Sequence, residues 1–303
     1  MSNGPILWIL IPLIGLSCIS APFRAAEARL VTDQLGREVR VPADPIRIVS
    51  LAPSITEIVF ALGQEHRLAG VTQFSDHPPE AARLPRVGSY VHPDLERIVA
   101  LRPDLCIAIK DGNPREVAER LEGLGIPVYA VDPRDLNSVM RSIREVGLLV
   151  NHEEGASVLV ERMRRRIESV KVRVENAPHR PGVFFQIGIT PIVAVGTDTF
   201  IHELIVLAGG KNLTAGPTPY PRFTREQVLT MMPEVLIITS MTRGGAFDQV
   251  KAEWLRWPQM PAVKNGRIHV VDSNIFDRPS PRLVDALELL ARLTQPALFG
   301  EAR

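Results

Sequence analysis

Two glutamates, Glu96 and Glu226, lie in stretches that read almost as copies of one another. DLERIVALRPDLCIAI spans 94–109 and TREQVLTMMPEVLIIT spans 224–239. Aligned without a gap, they share the acid, a proline (Pro103, Pro233), a following acid (Asp104, Glu234) and the apolar positions between. A carboxylate in the first turn of a helix gains a few tenths to about 1 kcal/mol from the helix dipole, which by itself accounts for an acid there. The same acid placed once on each half of a chain, 130 positions apart (96 against 226), also makes a two-pronged surface for basic residues on a two-fold symmetric partner. Both readings stand on these residues.

The histidines are the next candidates. His77, His92, His202 and His269 could ligate a metal, but no pair has the i, i+4 spacing that sets two imidazoles on one helix face. There is no GxxxxGK[ST], GxGxxG, HExxH, GxSxG or CxxC, so the common signatures of nucleotide, zinc, hydrolase and dithiol chemistry are absent. An exported metal-dependent enzyme would need a convergent nucleophile–base pair or an open metal cluster, and neither is visible. The expectation is a protein that is not an enzyme, with no cofactor and no metal site. With 35 basic and 34 acidic residues and a formal charge of +1, the chain has no electrostatic footprint for nucleic acid.

Residues 6–21, ILWILIPLIGLSCISA, are apolar but broken by Pro12. Such a run is too short for a comfortable membrane span. Ala26-Glu27-Ala28 fits an A-x-A cleavage site, so residues 1–28 read as a secretory signal peptide. Gly15-Leu16-Ser17-Cys18 is an imperfect lipobox, which keeps a lipid anchor on Cys18 and a retained membrane anchor as alternatives. Cys106, inside the apolar run LCIAI, would then have no partner. It reads as a small buried hydrophobe, with no disulfide.

The positioning elements alternate from about residue 30. Short apolar runs at 46–51, 68–72, 105–109 and 127–132 have the composition of strands buried in a parallel sheet. Ser54 and Glu57 suggest a capping box for a helix ending at Gly63. Asp94 opens a second helix, and Asn113-Pro114 a third that Gly125 closes. Residues 153–175 then run without proline, with Val158, Leu159, Met163, Ile167 and Val170 at helical spacing, as a rod of roughly 35 Å. Strands are expected again at 183–187, 191–196, 236–239 and 267–272, with a last helix over 281–293. HELIVLAGG (202–210) matches TEIVFALG (56–63), which sets Glu203 on Glu57 and Gly209 on Gly63. The offset is 146 here (57 against 203) and 130 between the two helices that follow. The first half therefore carries 16 more residues, the difference of those offsets, around 73–90. The fold class is thus α/β: two related Rossmann-like lobes with central parallel sheets, bridged by one long rigid helix. The boundaries are 29–150, 151–177 for the bridge, and 178–303.

Ligands of parallel α/β sheets bind beyond the carboxyl ends of the strands. Those positions carry Gln73 to His77 with Tyr90 nearby, Ile109 to Gly112, Gln186 to Gly188, Ser240 to Arg243, and Asn274 to Arg278. Aromatic, amide and single charged groups are mixed there, which suits a large, flat, partly polar ligand. Taken singly, each is also an ordinary loop residue, and Phe74 and Phe276 suit a lobe-edge core.

At these residues the chain resembles the periplasmic substrate-binding proteins of ABC importers for cobalamin and ferric siderophores. The resemblance rests on RIVSLAPSITEIVFALG (47–63), SDHPPE (75–80), DLERIVALRPDL (94–105), FFQIG (184–188), GGKN (209–212), TREQVL (224–229) and FDRPSPR (276–282). It implies a periplasmic protein that captures cobalamin or a related corrinoid as transported ligand, between lobes that close little. It also implies that Glu96 and Glu226 dock onto arginines of a permease dimer. Phe74, Tyr90 and Phe276 would flank the ring, and Asn274, Asp277 and Arg278 would answer its amide side chains. Phe74, Tyr90, Ile109 and Ile275 stand where cobalamin-binding members have a tyrosine and three tryptophans, which puts tight cobalamin binding in doubt. A ferric siderophore or haem is the sibling reading, for which the candidate wall has only Lys110, Arg243 and Arg278 as basic groups.

Overall fold

The computed structural model describes residues 28–239 and 246–299. The signal-peptide stretch with Cys18 and the wall segment Ser240 to Arg243 lie outside the described residues. Strands β1 (Ala28–Thr32) and β2 (Glu38–Pro42) form an antiparallel hairpin. The first lobe follows as β3 (Ile48–Ser50), α1 (Pro53–Ala61), β4 (Leu68–Val71), α2 (Leu95–Ala100), β5 (Leu105–Ile109), α3 (Arg115–Gly123) and β6 (Val128–Val131). Its sheet is parallel throughout, in the order β4-β3-β5-β6. Every residue of β3, β5 and β6 is buried, Cys106 among them. Burial on both faces is why these strands read as unbroken apolar runs.

Two helices precede the second lobe: one closes the first lobe and the other bridges to the second. α4 (Leu136–Leu149) begins with a reciprocal capping box between Asp135 and Ser138 and buries Leu136, Val139, Met140, Ile143, Val146 and Leu149. The sequence reading placed no helix between the strand at 127–132 and the rod. α5 (Glu153–Glu175) is the expected rod. Its inner face is Ala156, Leu159, Val160, Met163, Ile167, Val170 and Val174, whereas Val158 is 62% exposed and belongs to the outer face. Each fully buried aliphatic on that face contributes about 1.5–3 kcal/mol. Arg166 ties the rod to the last long helix through Asp285 and Glu288.

The second lobe contains β7 (Gly182–Gly188), β8 (Ile192–Ala194), α6 (Phe200–Leu207), β9 (Lys211–Asn212), β10 (Arg222–Phe223), α7 (Arg225–Met231) and β11 (Val235–Ile238). α8 (Ala246–Trp254), α9 (Pro261–Lys264), β12 (Ile268–Val270), α10 (Ser273–Phe276), α11 (Leu283–Thr294) and α12 (Pro296–Phe299) complete it. Its sheet runs β10-β8-β7-β11-β12, with β9 also against β7. β9, β7, β11 and β12 are parallel, but β8 is antiparallel to β7 and β10 to β8. The sheet is therefore mixed rather than parallel. The link from β7 to β8 is too short for a crossover, so the chain can only fold back on itself.

The repeat survives in detail. Gly63 and Gly209 follow α1 and α6 at φ +66° and +78°, a left-handed conformation that favours glycine. The expected box at Ser54 and Glu57 does not form. α1 is capped by Ala52 without a side-chain bond, with Pro53 in its first turn, and Glu57 bonds elsewhere. One apolar cluster runs from β3 and β5 through α4, α5 and α11 to β7 and β11, so the two lobes share a core.

Candidate ligand-binding site

A cavity of about 800 Å³ opens between the lobes. Its floor follows the repeat. Ala52, Pro53 and Ser54 enter from the start of α1, and Asp198, Thr199 and Phe200, 146 positions on (52 against 198), enter from the start of α6. Ile109, Asp111 and Gly112 follow β5, Asp132 to Arg134 follow β6, and Ile187 and Gly188 end β7. These are carboxyl ends of strands, as the fold class predicts. Tyr90 stands on one side and Tyr220 on the other. The Tyr90 ring lies over Gly112, where a Cβ would come within 2.6 Å of it, so a bare backbone is needed there (φ +131°). Burial raises both tyrosine hydroxyls above their ordinary range, with the Asp277 charge adding to it.

Of the sequence-predicted ligand residues, Tyr90, Asp277 and Arg278 reach the cavity wall together. Phe74 is half-buried behind Tyr90, edge-on at 6.4 Å. Phe276 does not reach the wall: α10 turns it inward, fully buried, against Phe185 at 5.5 Å. Ile275 packs on the same core. Asn274 is half-buried, and its Oδ1 accepts from Arg278 Nη2 at 2.6 Å.

Arg278 is the centre of an inter-lobe network rather than a free cation. Nη1 donates to Glu57 Oε1 and Asp76 Oδ1, both at 2.9 Å, and Nη2 to the Phe74 carbonyl at 2.9 Å. Glu57, with its side chain 3% exposed, also accepts from Arg282 and from Ser280 Oγ. Across the floor, Glu203 Oε2 accepts from the Leu136 N–H at 2.7 Å. Burial pushes the Glu203 carboxyl up, against the pull of that N–H, and nearby Asp135 adds to the rise.

Asp277 differs from its neighbours. Oδ2 has a long bond from Thr239 Oγ1 at 3.3 Å, while Oδ1 is sealed from solvent with no partner among the described residues. Burial pushes this carboxyl up to about 7, against Thr239 and Arg278, with Asp272 adding to the rise. The other cation of the wall, Arg134, donates to Asp132 and lies 3.8 Å from Asp198. Lys110 beside it pairs with Asp132. Among the described residues, the wall therefore has carboxylates to offer and no unengaged cation.

Sequence reasoning missed Asp132 to Arg134, the 198–201 floor, and Pro219 with Tyr220. The repeat carried the signal for the floor, since 198–200 are the partners of 52–54. Tyr220 lies in the irregular segment 213–221, which has no periodicity to place it. The histidines do not converge. Among the described residues no group of three or more potential metal ligands forms. His202 Nδ1 lies 3.1 Å from the Asn212 amide, and burial lowers its pKa. His269 sits within β12 and is lowered for the same reason, helped by Arg267 and Lys251.

Glu96 and Glu226 lie in the first turns of α2 and α7, both exposed. The arginines next to them are engaged by other acids: Arg97 by Asp94 and Arg225 by Glu253. Its own backbone N–H and the Thr224 hydroxyl hold the Glu226 carboxyl below the usual range.

Comparison with known proteins agrees with this architecture. The periplasmic binding protein family model matches residues 48–275. The vitamin B12-binding protein of Yersinia pestis (strain Pestoides F) is 32% identical over 248 residues, 81% of this chain and 85% of that protein. That of Photorhabdus laumondii is 31% identical over 252 residues, 82% and 88% of the two chains. Among solved structures, the periplasmic vitamin B12 binding protein of Vibrio cholerae superposes with a TM-score of 0.73 at 30% identity, covering 84% of this chain and 99% of that one. A periplasmic haem binding protein from Pseudomonas aeruginosa gives 0.76 at 28% identity, covering 84% and 94%.

Proposed function

The chain belongs to the periplasmic binding protein family, and from that membership we propose that it captures cobalamin or a related corrinoid between its lobes and delivers it to an ABC permease. The single observation that carries the choice of ligand is the charge state of the wall. Arg278 and Arg134 are already engaged by Glu57, Asp76, Asp132 and Asp198. An anionic chelate gains little from such a wall, and a neighbouring carboxylate such as Asp111, which has no hydrogen-bond or ion-pair partner among the described residues, repels it. A corrinoid has neutral amide side chains, whose N–H groups suit Asp277 and Asp111. Its flat ring suits Tyr90, Tyr220 and Phe200, with Phe74 supporting Tyr90 from behind. Asn274 and Arg278 bond to each other beside Asp277, and Ile275 and Phe276 anchor the loop in the core. No chemistry on the ligand is required.

Docking falls to Glu96 and Glu226, one exposed carboxylate per lobe in a repeated setting, matching a two-fold permease dimer. The residues up to 28 act as an export signal that delivers the protein to the periplasm. Parallel spectral titrations with cyanocobalamin and haemin test the ligand. Saturation by cyanocobalamin and a weaker response to haemin are expected. Saturation by haemin alone would move the assignment to the haem binders of the same fold.

A further inference from the structure

Glu57 and Glu203 occupy the same place in the internal repeat, and each carboxylate leaves its own lobe. Glu57, on α1, accepts from Arg278 Nη1 at 2.9 Å, Ser280 Oγ at 2.6 Å, and Arg282 Nε and Nη2 at 2.9 and 2.6 Å. All three donors precede or open α11 in the opposite lobe. Glu203, on α6, accepts at 2.7 Å from the backbone N–H of Leu136, the first residue of α4. That N–H is one of the four that a helix start leaves unsatisfied, so the contact runs from one lobe to the helix dipole of the other. α1 and α6 both begin at the cavity floor. Both contacts therefore lie on helices that start at the floor.

We propose that Glu57 and Glu203 are a pair of cross-lobe latches that set the width of the cavity before a ligand arrives and slow its release afterwards. The bridging helix α5 and the core it shares with both lobes limit where the lobes can go. The latches act at the other edge, beside the ligand. They are unequal. Glu57 joins two guanidiniums in a buried setting, where losing one partner leaves uncompensated charge. Glu203 makes one charge-assisted hydrogen bond, so it is the weaker of the two. The repeat thus uses one pair of glutamates outward, at 96 and 226, and another inward, at 57 and 203. The latch does not depend on which ligand the cavity holds.

The test measures lobe spacing directly. Spin labels on Arg115→Cys and Lys264→Cys, both exposed and one on each lobe, report an inter-lobe distance in a full chain that also carries Cys18→Ser, and Cys106 is fully buried and escapes labelling. A narrow distribution is expected for the parent and a broader one for Glu203→Met. Glu203→Gln, which keeps an acceptor for the Leu136 N–H, should resemble the parent. Glu57→Gln should broaden the distribution further, and if that variant fails to fold, the Glu203 pair carries the test alone. Cyanocobalamin should dissociate from Glu203→Met roughly three- to tenfold faster, the scale of one hydrogen bond. An unchanged distribution in folded Glu203→Met, or equal broadening in the Gln and Met variants, overturns the latch. Altered spacing without cyanocobalamin binding would leave the latch standing and overturn only the ligand assignment.

Discussion

Asp277 is a buried side chain of the cavity wall whose Oδ1 has no partner among the described residues, and this burial fixes how it responds to pH. Its carboxyl, pushed up to about 7 by burial, holds a proton that the unfolded chain releases near pH 4. The stability tied to that proton is complete below about pH 4 and is lost as pH rises through about 7. Asp277→Asn cannot ionise. It should exceed the parent by about 1–2 kcal/mol in denaturant unfolding at pH 8 and differ little at pH 4; equal stabilities at pH 8 would mean the carboxyl is not desolvated. The aromatic residues divide in the same concrete way. Tyr90→Ala should weaken cyanocobalamin binding by roughly tenfold while the melting temperature moves little, as befits a ring at the wall. Phe276→Ala should cost about 3–5 kcal/mol of stability, as befits a ring in the core. Asp277 was legible because it lies beyond β12, where an α/β sheet gathers its ligand contacts, and Tyr90 as an aromatic in the long segment after β4. Phe276 was misplaced because α10 is a single turn, too short for periodicity to show which side faces inward.

At the scale of elements, α4, which closes the first lobe, matters as much as the bridging rod. Its start carries both the Asp135–Ser138 box and the N–H that Glu203 reaches. Asp135→Ala should cost about 0.5–2 kcal/mol of stability, read from thermal or denaturant unfolding. It should also broaden the inter-lobe distance, since the latch partner sits one residue further on. A lost cap with unchanged spacing would separate helix stability from latching. The rod was readable to the residue because 23 positions without proline leave few alternatives to a helix. α4 was overlooked although its signal, Asp-x-x-Ser before a 3.6-residue apolar period, is present. The mixed second sheet was not readable from strand composition, because pairing direction depends on connection length rather than on the residues of β8 and β10. The supposed box at Ser54 failed for a related reason: motif spacing says nothing of a stronger partner 221 residues away, and Arg278 claims Glu57.

At the scale of the whole molecule, two lobes with a shared core and paired floor contacts form a cavity whose shape is set largely in advance. On the proposed function, ligand capture and docking fall on separate surfaces. Glu96→Ala and Glu226→Ala should leave cyanocobalamin affinity within about twofold, the scale of an exposed charge far from the cavity. Each should weaken binding to reconstituted permease, and the double variant most of all. Loss of ligand affinity in either would contradict the separation. The most direct test of the ligand assignment is a calorimetric titration of the purified protein with cyanocobalamin. One-to-one binding at micromolar affinity or tighter is the predicted result, with heat retained when the salt concentration is raised, because among the described residues the wall has no unengaged cation to be screened. Neither heat nor a spectral shift at ligand concentrations well above micromolar would contradict the corrinoid assignment outright.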